Sequence, residues 1–293
     1  MDAAAPACAA GRDTHVLLLG DSTLRFQYLS LAFAWRHGHE LQQAEEANMT
    51  GNVVQHSMRL HGWQQFNWSS FFERTSVMIG DQCDCHRSGA CCFGRTPAME
   101  NRFARFRCGA QLTYLQLWGR MPMKGTWWPG HPERERSVHR RWAPKWTMPA
   151  FEVIRKLLPL LRPTVVVFNL GHHLKSALTE PELQRFGQAF GNLTSTRVVW
   201  ATTMSCIGPH PACRPSKLSY DGPATEEFAA RDFIVFDAAA HTRNLKRLDF
   251  RDNMHVGMHV NNCLNERLIR TLWPHAPAAW PWRSCERLKD ELS

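Results

Sequence analysis

The sequence predicts an α/β protein: three α/β/α layers built on a mostly parallel, doubly wound sheet. Strand-sized apolar runs alternate along the chain with amphipathic segments of helical length, which is the pattern of βαβ units with helices on both faces. Two of the runs, 15–20 and 164–169, stop abruptly at polar turns containing glycine, as strands do at the carboxyl edge of an open sheet. The chain has 293 residues and is 44% hydrophobic, ample for a sizeable core, and no repeat, low-complexity tract or linker divides it. One domain over 1–293 is expected, with its core at about 15–275.

Candidate strands fall at 15–20, 110–118, 164–169, 196–203 and 233–237, with a further short one at 75–79. The β-branched run Thr164-Val165-Val166-Val167-Phe168 is the strongest of them. Amphipathic helices are predicted at 23–37, 148–161, 180–192 and 261–273. Between these lie two insertions, 40–108 (rich in Cys, Trp, Asn and Gly) and 119–147 (rich in Pro and Trp). Long irregular excursions in a compact domain are usually functional, and both are expected near the strand ends, where they would shape a cleft.

The first strand leads into the most informative segment, Gly20-Asp21-Ser22. A buried strand that turns straight into a helix here exposes a serine hydroxyl above the free N–H groups of the helix N-terminus. Acyl transfer needs that arrangement, because the nucleophile must be exposed while the developing oxyanion finds donors. Helix capping by Asp21 or Ser22 explains the same tripeptide. Far away, Asp252-Asn253-Met254-His255 offers a carboxylate and an imidazole that share one side of a turn. Such an imidazole can take the serine proton while the carboxylate fixes its tautomer. A third segment, Asn169-Leu170-Gly171-His172-His173, follows the fourth strand candidate, where Asn169 could donate to an oxyanion. Taken singly, Asn169 also reads as a turn residue, and His172 and His173 as surface or interface histidines.

Together, Gly20-Asp21-Ser22 with Arg25 and Gln27, Phe168-Asn169-x-Gly171-His172, and Asp252-x-x-His255 resemble the PC-esterase branch of the SGNH (GDSL) hydrolases. That branch includes the trichome-birefringence-like polysaccharide O-acetyltransferases. The resemblance implies an SGNH-hydrolase-like fold, Ser22 as nucleophile, His255 as base and Asp252 as its orienting partner. It also implies Asn169, Gly171 and His172 around the oxyanion and substrate, and Arg25 close to the acyl pocket. The expected activity is O-acetyl transfer to, or ester hydrolysis on, a glycan, from an acetyl ester or other acyl donor and with no cofactor and no metal. The chain departs from the family pattern at Thr23-Leu24, at Phe26, at His173 (Trp in the family) and at Val256-Gly257 (commonly Trp-Cys). A plant-type xylan or pectin acceptor therefore does not transfer.

Two other readings compete. His255-x-x-x-His259 has the spacing of two imidazoles on one helical face, and His172-His173 could complete a metal-hydrolase site. Gly257 weakens a helix at its centre, and no Glu occupies the metalloprotease position. The non-enzymatic alternative is a Cys-rich glycan-binding module on the same scaffold.

The formal charge of +9 raises the question of nucleic acid. Its one local concentration, Arg134, Arg136, Arg140, Arg141 and Lys145, is interleaved with tryptophans. Such loops suit carbohydrate as well as single strands, and no nucleic-acid-binding motif accompanies them, so no nucleic-acid partner is expected. No apolar run reaches transmembrane length. The opening segment lacks a basic and an apolar signal region, so the chain is expected either to be cytosolic or to have its leader or anchor outside this sequence. Ten cysteines, five of them from Cys83 to Cys108, favour the second option through a disulfide framework. Zinc on those cysteines with His86 is the competitor, without the Cys-x2-Cys spacing. Sequons at Asn48, Asn67 and Asn192 agree with a secretory lumen or the extracellular space. Lys289-Asp290-Glu291-Leu292 resembles a retention address but is followed by Ser293.

Overall fold

A computed structural model describes residues 13–50, 66–87, 99–132, 145–174, 176–207, 213, 221–275 and 285. In chain order, β1 is His15–Gly20 and α1 is Ser22–His37, followed by α2 (Gln43–Thr50) and α3 (Trp68–Ile79). Three strands come next: β2 (Gln82–His86), β3 (Met99–Arg105) and β4 (Gln111–Gln116). A small ladder of β5 (Met123–Gly125) and β6 (Trp146–Met148) precedes α4 (Ala150–Lys156) and α5 (Leu158–Leu161). The chain continues through β7 (Val165–Phe168), α6 (Glu180–Gly191), β8 (Arg197–Ala201) and α7 (Asp221–Ala229). It ends in β9 (Ile234–Phe236), α8 (Ala238–Thr242) and α9 (Met258–Leu272).

The main sheet has seven strands in the order β2-β3-β4-β1-β7-β8-β9. From β4 to β9 all neighbours are parallel, whereas β2, β3 and β4 pair antiparallel. The structure is thus the expected α/β fold with a mostly parallel sheet. β1 lies at the centre, and all six of its residues are buried. Its side chains alternate between two cores: Val16 and Leu18 face α1 and α9, and Leu17 and Leu19 face α4, α6 and α7. A strand covered on both faces needs an unbroken apolar run, which is why this one is so clear in the sequence. α1 is buried along nearly its whole length, and Gly38 ends it in the left-handed conformation (φ 77°).

Several sequence expectations are corrected. Residues 75–79 are the last turns of α3 and not a strand: Phe71, Phe72, Thr75 and Ile79 recur at helical spacing, between an Asn67 cap and Gly80 (φ 63°). The described part of the 40–108 insertion is largely regular, contributing α2, α3 and two strands that widen the sheet on the β4 side. The helix expected at 148–161 breaks at Leu157, where Pro159 can only sit in the first turn of a new helix. Residues 133–144, with the basic cluster at Arg134–Arg141, lie outside the described residues.

Cys83–Cys85, Cys206–Cys213 and Cys263–Cys285 are disulfides, and Cys108 is also disulfide-bonded. Cys83, Cys85 and Cys108 are therefore half-cystines and not thiolate ligands for zinc; Cys91 and Cys92 are outside the described residues. No described helix is long and apolar enough to cross a membrane.

Candidate active site

Where β1 ends, the chain has little room. A Cβ on Gly20 would lie 2.6 Å from Leu24 Cδ1 and 3.2 Å from the Asn169 carbonyl. Asp21 follows, wholly buried, as the N-cap of α1. Its Oδ1 accepts from the Thr23 amide (2.9 Å) and hydroxyl (2.6 Å), and its Oδ2 from the His172 amide (3.0 Å). Burial works to raise the Asp21 pKa, but His173, His172 and the Thr23 hydrogen bonds outweigh it and hold the carboxyl below its ordinary value. From the other side, the Tyr114 hydroxyl donates toward the Gly20 (3.1 Å) and Asp21 (3.0 Å) carbonyls. The capping explanation is thus correct for Asp21, and it leaves the Ser22 hydroxyl uncommitted to the helix.

Ser22, partly exposed, places its Oγ 2.7 Å from His255 Nε2. The other ring nitrogen, Nδ1, lies 2.8 Å from Asp252 Oδ2. With Nδ1–H donating to the carboxylate, Nε2 carries a lone pair toward the serine proton; this tautomer is assigned from the hydrogen-bond partners. Asp252 can hold the ring because its Oδ1 folds the local turn, accepting from the amides of Met254 (2.7 Å) and His255 (2.8 Å). Arg251 N–H donates to the His255 carbonyl (2.8 Å), and Phe250 bridges to Val256, closing a narrow loop below the pair. Burial pushes the Asp252 pKa up; His255, by charge and hydrogen bond, and the two amides pull it well below the carboxylate range. Phe26, one turn after Ser22, meets the His255 ring edge-on at 5.1 Å.

The neighbouring strand end supplies Asn169, Gly171 and His172. Asn169 is buried and continues the ladder through its N–H to Leu19 O (3.0 Å). One hydrogen of its side-chain amide goes to the Ala201 carbonyl (2.9 Å), so only the second is left for an incoming oxyanion. Gly171 is left-handed (φ 63°), and the Asp21 carboxylate occupies the space its Cβ would need. His172 gives its amide to Asp21, and its Nδ1 lies 3.9 Å from Cys206 Sγ. The Ser22 amide, first of α1, has no acceptor within the helix and belongs to the same donor group.

Arg25, one turn after Ser22, has its guanidinium buried in an ion pair with Glu100 (3.0 Å). Glu100 also receives Arg87 and Arg102 (both 3.1 Å), and Arg102 reaches Asp81 (2.9 Å). Burial raises the Glu100 pKa, but Arg25, Arg102 and Arg87 together pull it below its ordinary value. Sequence reasoning missed this cluster, and the sole signal was the polar run Glu100-Asn101-Arg102 inside the predicted insertion.

The metal reading finds no support in these contacts. His255 is committed to Asp252 and Ser22, and His259 pairs with a different carboxylate, Asp249 (3.3 Å). Among the described residues no three His, Cys, Asp or Glu side chains form a group that could hold a metal ion.

No protein-family model matches the chain, and no curated protein does. The solved structures similar to it include a lipase/acylhydrolase from Enterococcus faecalis, at 13% identity and a TM-score of 0.42, covering 90% of this chain and 97% of that one. The structure of TesA is similar at 11% identity and a TM-score of 0.39, covering 89% and 99%. A putative GDSL-like lipase from Parabacteroides merdae matches at 11% identity and a TM-score of 0.38, covering 88% and 95%.

Proposed function

We propose that this protein is an SGNH-type serine esterase or O-acyltransferase that works through an acyl-Ser22 intermediate. The observation that carries the reading is the unbroken line from Ser22 Oγ to His255 (2.7 Å) to Asp252 (2.8 Å) at the carboxyl edge of the central strand. His255 Nε2 takes the serine proton as Oγ attacks the acyl carbon, and Asp252 stabilises the imidazolium. The oxyanion is held by the Ser22 amide, with Gly171 and the remaining Asn169 N–H beside it. His172 fixes the Gly171 turn through the hydrogen bond its backbone N–H donates to Asp21. His255 then protonates the leaving alkoxide. In the second half an acceptor hydroxyl or water gives its proton to the same nitrogen, attacks the acyl carbon, and Ser22 recovers its proton as the ester bond breaks. Arg25 acts from one turn beyond Ser22 by fastening α1 to Glu100.

The PC-esterase branch and a glycan acceptor rest on the resemblance carried by the three sequence blocks, and the single domain on the lack of a dividing linker or repeat in the sequence. The disulfides support a secretory lumen or the extracellular space, because such bonds persist in oxidising compartments. The test compares hydrolysis of an acetyl ester with acetyl transfer to neutral and acidic polysaccharides, in the wild type and in Ser22→Ala. Loss of both by at least about 10⁴-fold is expected. Full activity of Ser22→Ala on either would refute the mechanism. Transfer exceeding hydrolysis identifies a transferase.

A further inference from the structure

Arg251, directly before Asp252, is buried among groups that only partly balance its charge. Its guanidinium pairs with Glu46 of α2, 205 residues away in sequence, and lies 4.3 Å from the centroid of the Phe26 ring. That same ring meets His255. Nη1 is buried and has no hydrogen-bond partner. Arg25 lies 4.7 Å from the Phe26 centroid, so two guanidiniums surround the ring beside the base. Burial pulls the Arg251 pKa down to about 10, with Asp252 raising it and Arg25 lowering it. A cation held at such cost beside an imidazole that must become an imidazolium is an electrostatic setting, not only a brace.

We propose that Glu46 and Arg251 are positioning residues that set the proton affinity of His255, Arg251 lowering it and Glu46 restoring it from the insertion. The role as base rests on the acyl-transfer reading, whereas the electrostatic coupling does not. The other charged and titratable groups around the turn are Asp252 and Ser22 in direct contact, Arg247, whose Nη1 donates to the Phe250 (3.4 Å) and Asp252 (3.5 Å) carbonyls, and Arg25 against Phe26. The Asp249–His259 pair sits at the start of α9, and Asp21 with His172 and His173 lies at the neighbouring strand end. None of these changes in the variants below, so the sign of each shift belongs to Glu46 and Arg251. From a neighbouring position in a partly desolvated site, a unit charge shifts the imidazole by a few tenths of a pH unit to about one unit.

The experiment is an NMR titration of the His255 ring in the wild type, Glu46→Gln, Arg251→Met, Arg251→Lys and Glu46→Gln/Arg251→Met, with melting curves to establish folding. Glu46→Gln lowers the midpoint, Arg251→Met raises it, the double variant returns toward wild type, and Arg251→Lys leaves it in place. Unchanged midpoints, or single variants shifting the same way, would overturn the proposal. If Arg251→Met does not fold, Glu46→Gln decides alone, and an unmoved or raised midpoint defeats the idea. The acid limb of kcat/KM for ester hydrolysis follows the same order. An active Ser22→Ala removes the acyl-serine reading without touching the titration, and flat titrations with an inactive Ser22→Ala remove only this inference.

Discussion

Gly171→Ala is the substitution whose cost can be worked from the structure. Gly171 is left-handed (φ 63°), where an L-residue with a Cβ is strained by about 1–2 kcal/mol. Collision costs more than this strain. The new methyl would overlap the Asp21 carboxylate, which is fully buried and hydrogen-bonded to the Thr23 amide, the Thr23 hydroxyl and the His172 amide. The carboxylate cannot move without giving up at least one of these bonds, and a hydrogen bond to a charged group contributes about 1.5–3 kcal/mol. A total of about 2.5–5 kcal/mol is expected. Gly38→Ala supplies the comparison: Gly38 is equally left-handed (φ 77°), but nothing lies within 4 Å of its absent Cβ, so only the backbone strain remains. Urea unfolding followed by circular dichroism measures both. A displaced Asp21 also shifts the Ser22 turn, and an error of about 1 Å in such geometry costs about 10²-fold in rate. If Gly171→Ala proves no more costly than Gly38→Ala, the idea that Asp21 clamps the two strand ends fails.

Two further outcomes follow from the same contacts. Asp252→Asn can still accept from the Met254 and His255 amides, so the fold should persist, while kcat for ester cleavage falls by about 10⁴ because the imidazole is held in the wrong tautomer; a loss under tenfold would contradict the relay. His15 is buried between the Leu161 carbonyl (3.0 Å) and the Thr113 hydroxyl (2.9 Å), and burial, opposed by the bond to Leu161, lowers its pKa from 6.5 to about 4. The unfolded chain therefore binds the extra proton first, and stability is lost as pH falls from 6.5 through about 4. His15→Gln should flatten that part of the urea-midpoint profile relative to wild type, and an unchanged slope would remove His15 as its source.

The parallel centre of the sheet was legible because burial on both faces leaves no polar position. β1 and β7 could be located to within about a residue from Leu17-Leu18-Leu19 and Val165-Val166-Val167 alone. β3 was hidden for the opposite reason. Its buried positions include Glu100, Asn101 and Arg102, which balance one another and their neighbours only after folding, so no apolar alternation marks the strand. The three site blocks showed in the sequence because each is a short local motif at a strand end or turn. Glu46, Tyr114 and the hydrogen bond from the His172 amide to Asp21 join segments far apart in the chain, and no local pattern encodes such pairings.

A hydroxyl and an imidazole 233 residues apart stay 2.7 Å from each other only if both of their turns are fixed. Each turn is fixed by its own carboxylate binding backbone amides, Asp21 under Ser22 and Asp252 under His255. The two carboxylates are placed differently with respect to the base. Asp252 is bonded to the ring, so its charge acts on His255 directly, and that charge favours the imidazolium. Asp21 turns its oxygens to Thr23 and His172, directing its charge at amides and a hydroxyl at the N-terminus of α1. A catalytic base works best when its proton affinity is matched to the working pH. The counterweight is a nearby cation that opposes the imidazolium, and Arg251, packed on the Phe26 ring that meets His255, is that cation. Glu46 then limits how far that opposition goes, which gives the 40–108 insertion a part in setting the base as well as in widening the sheet.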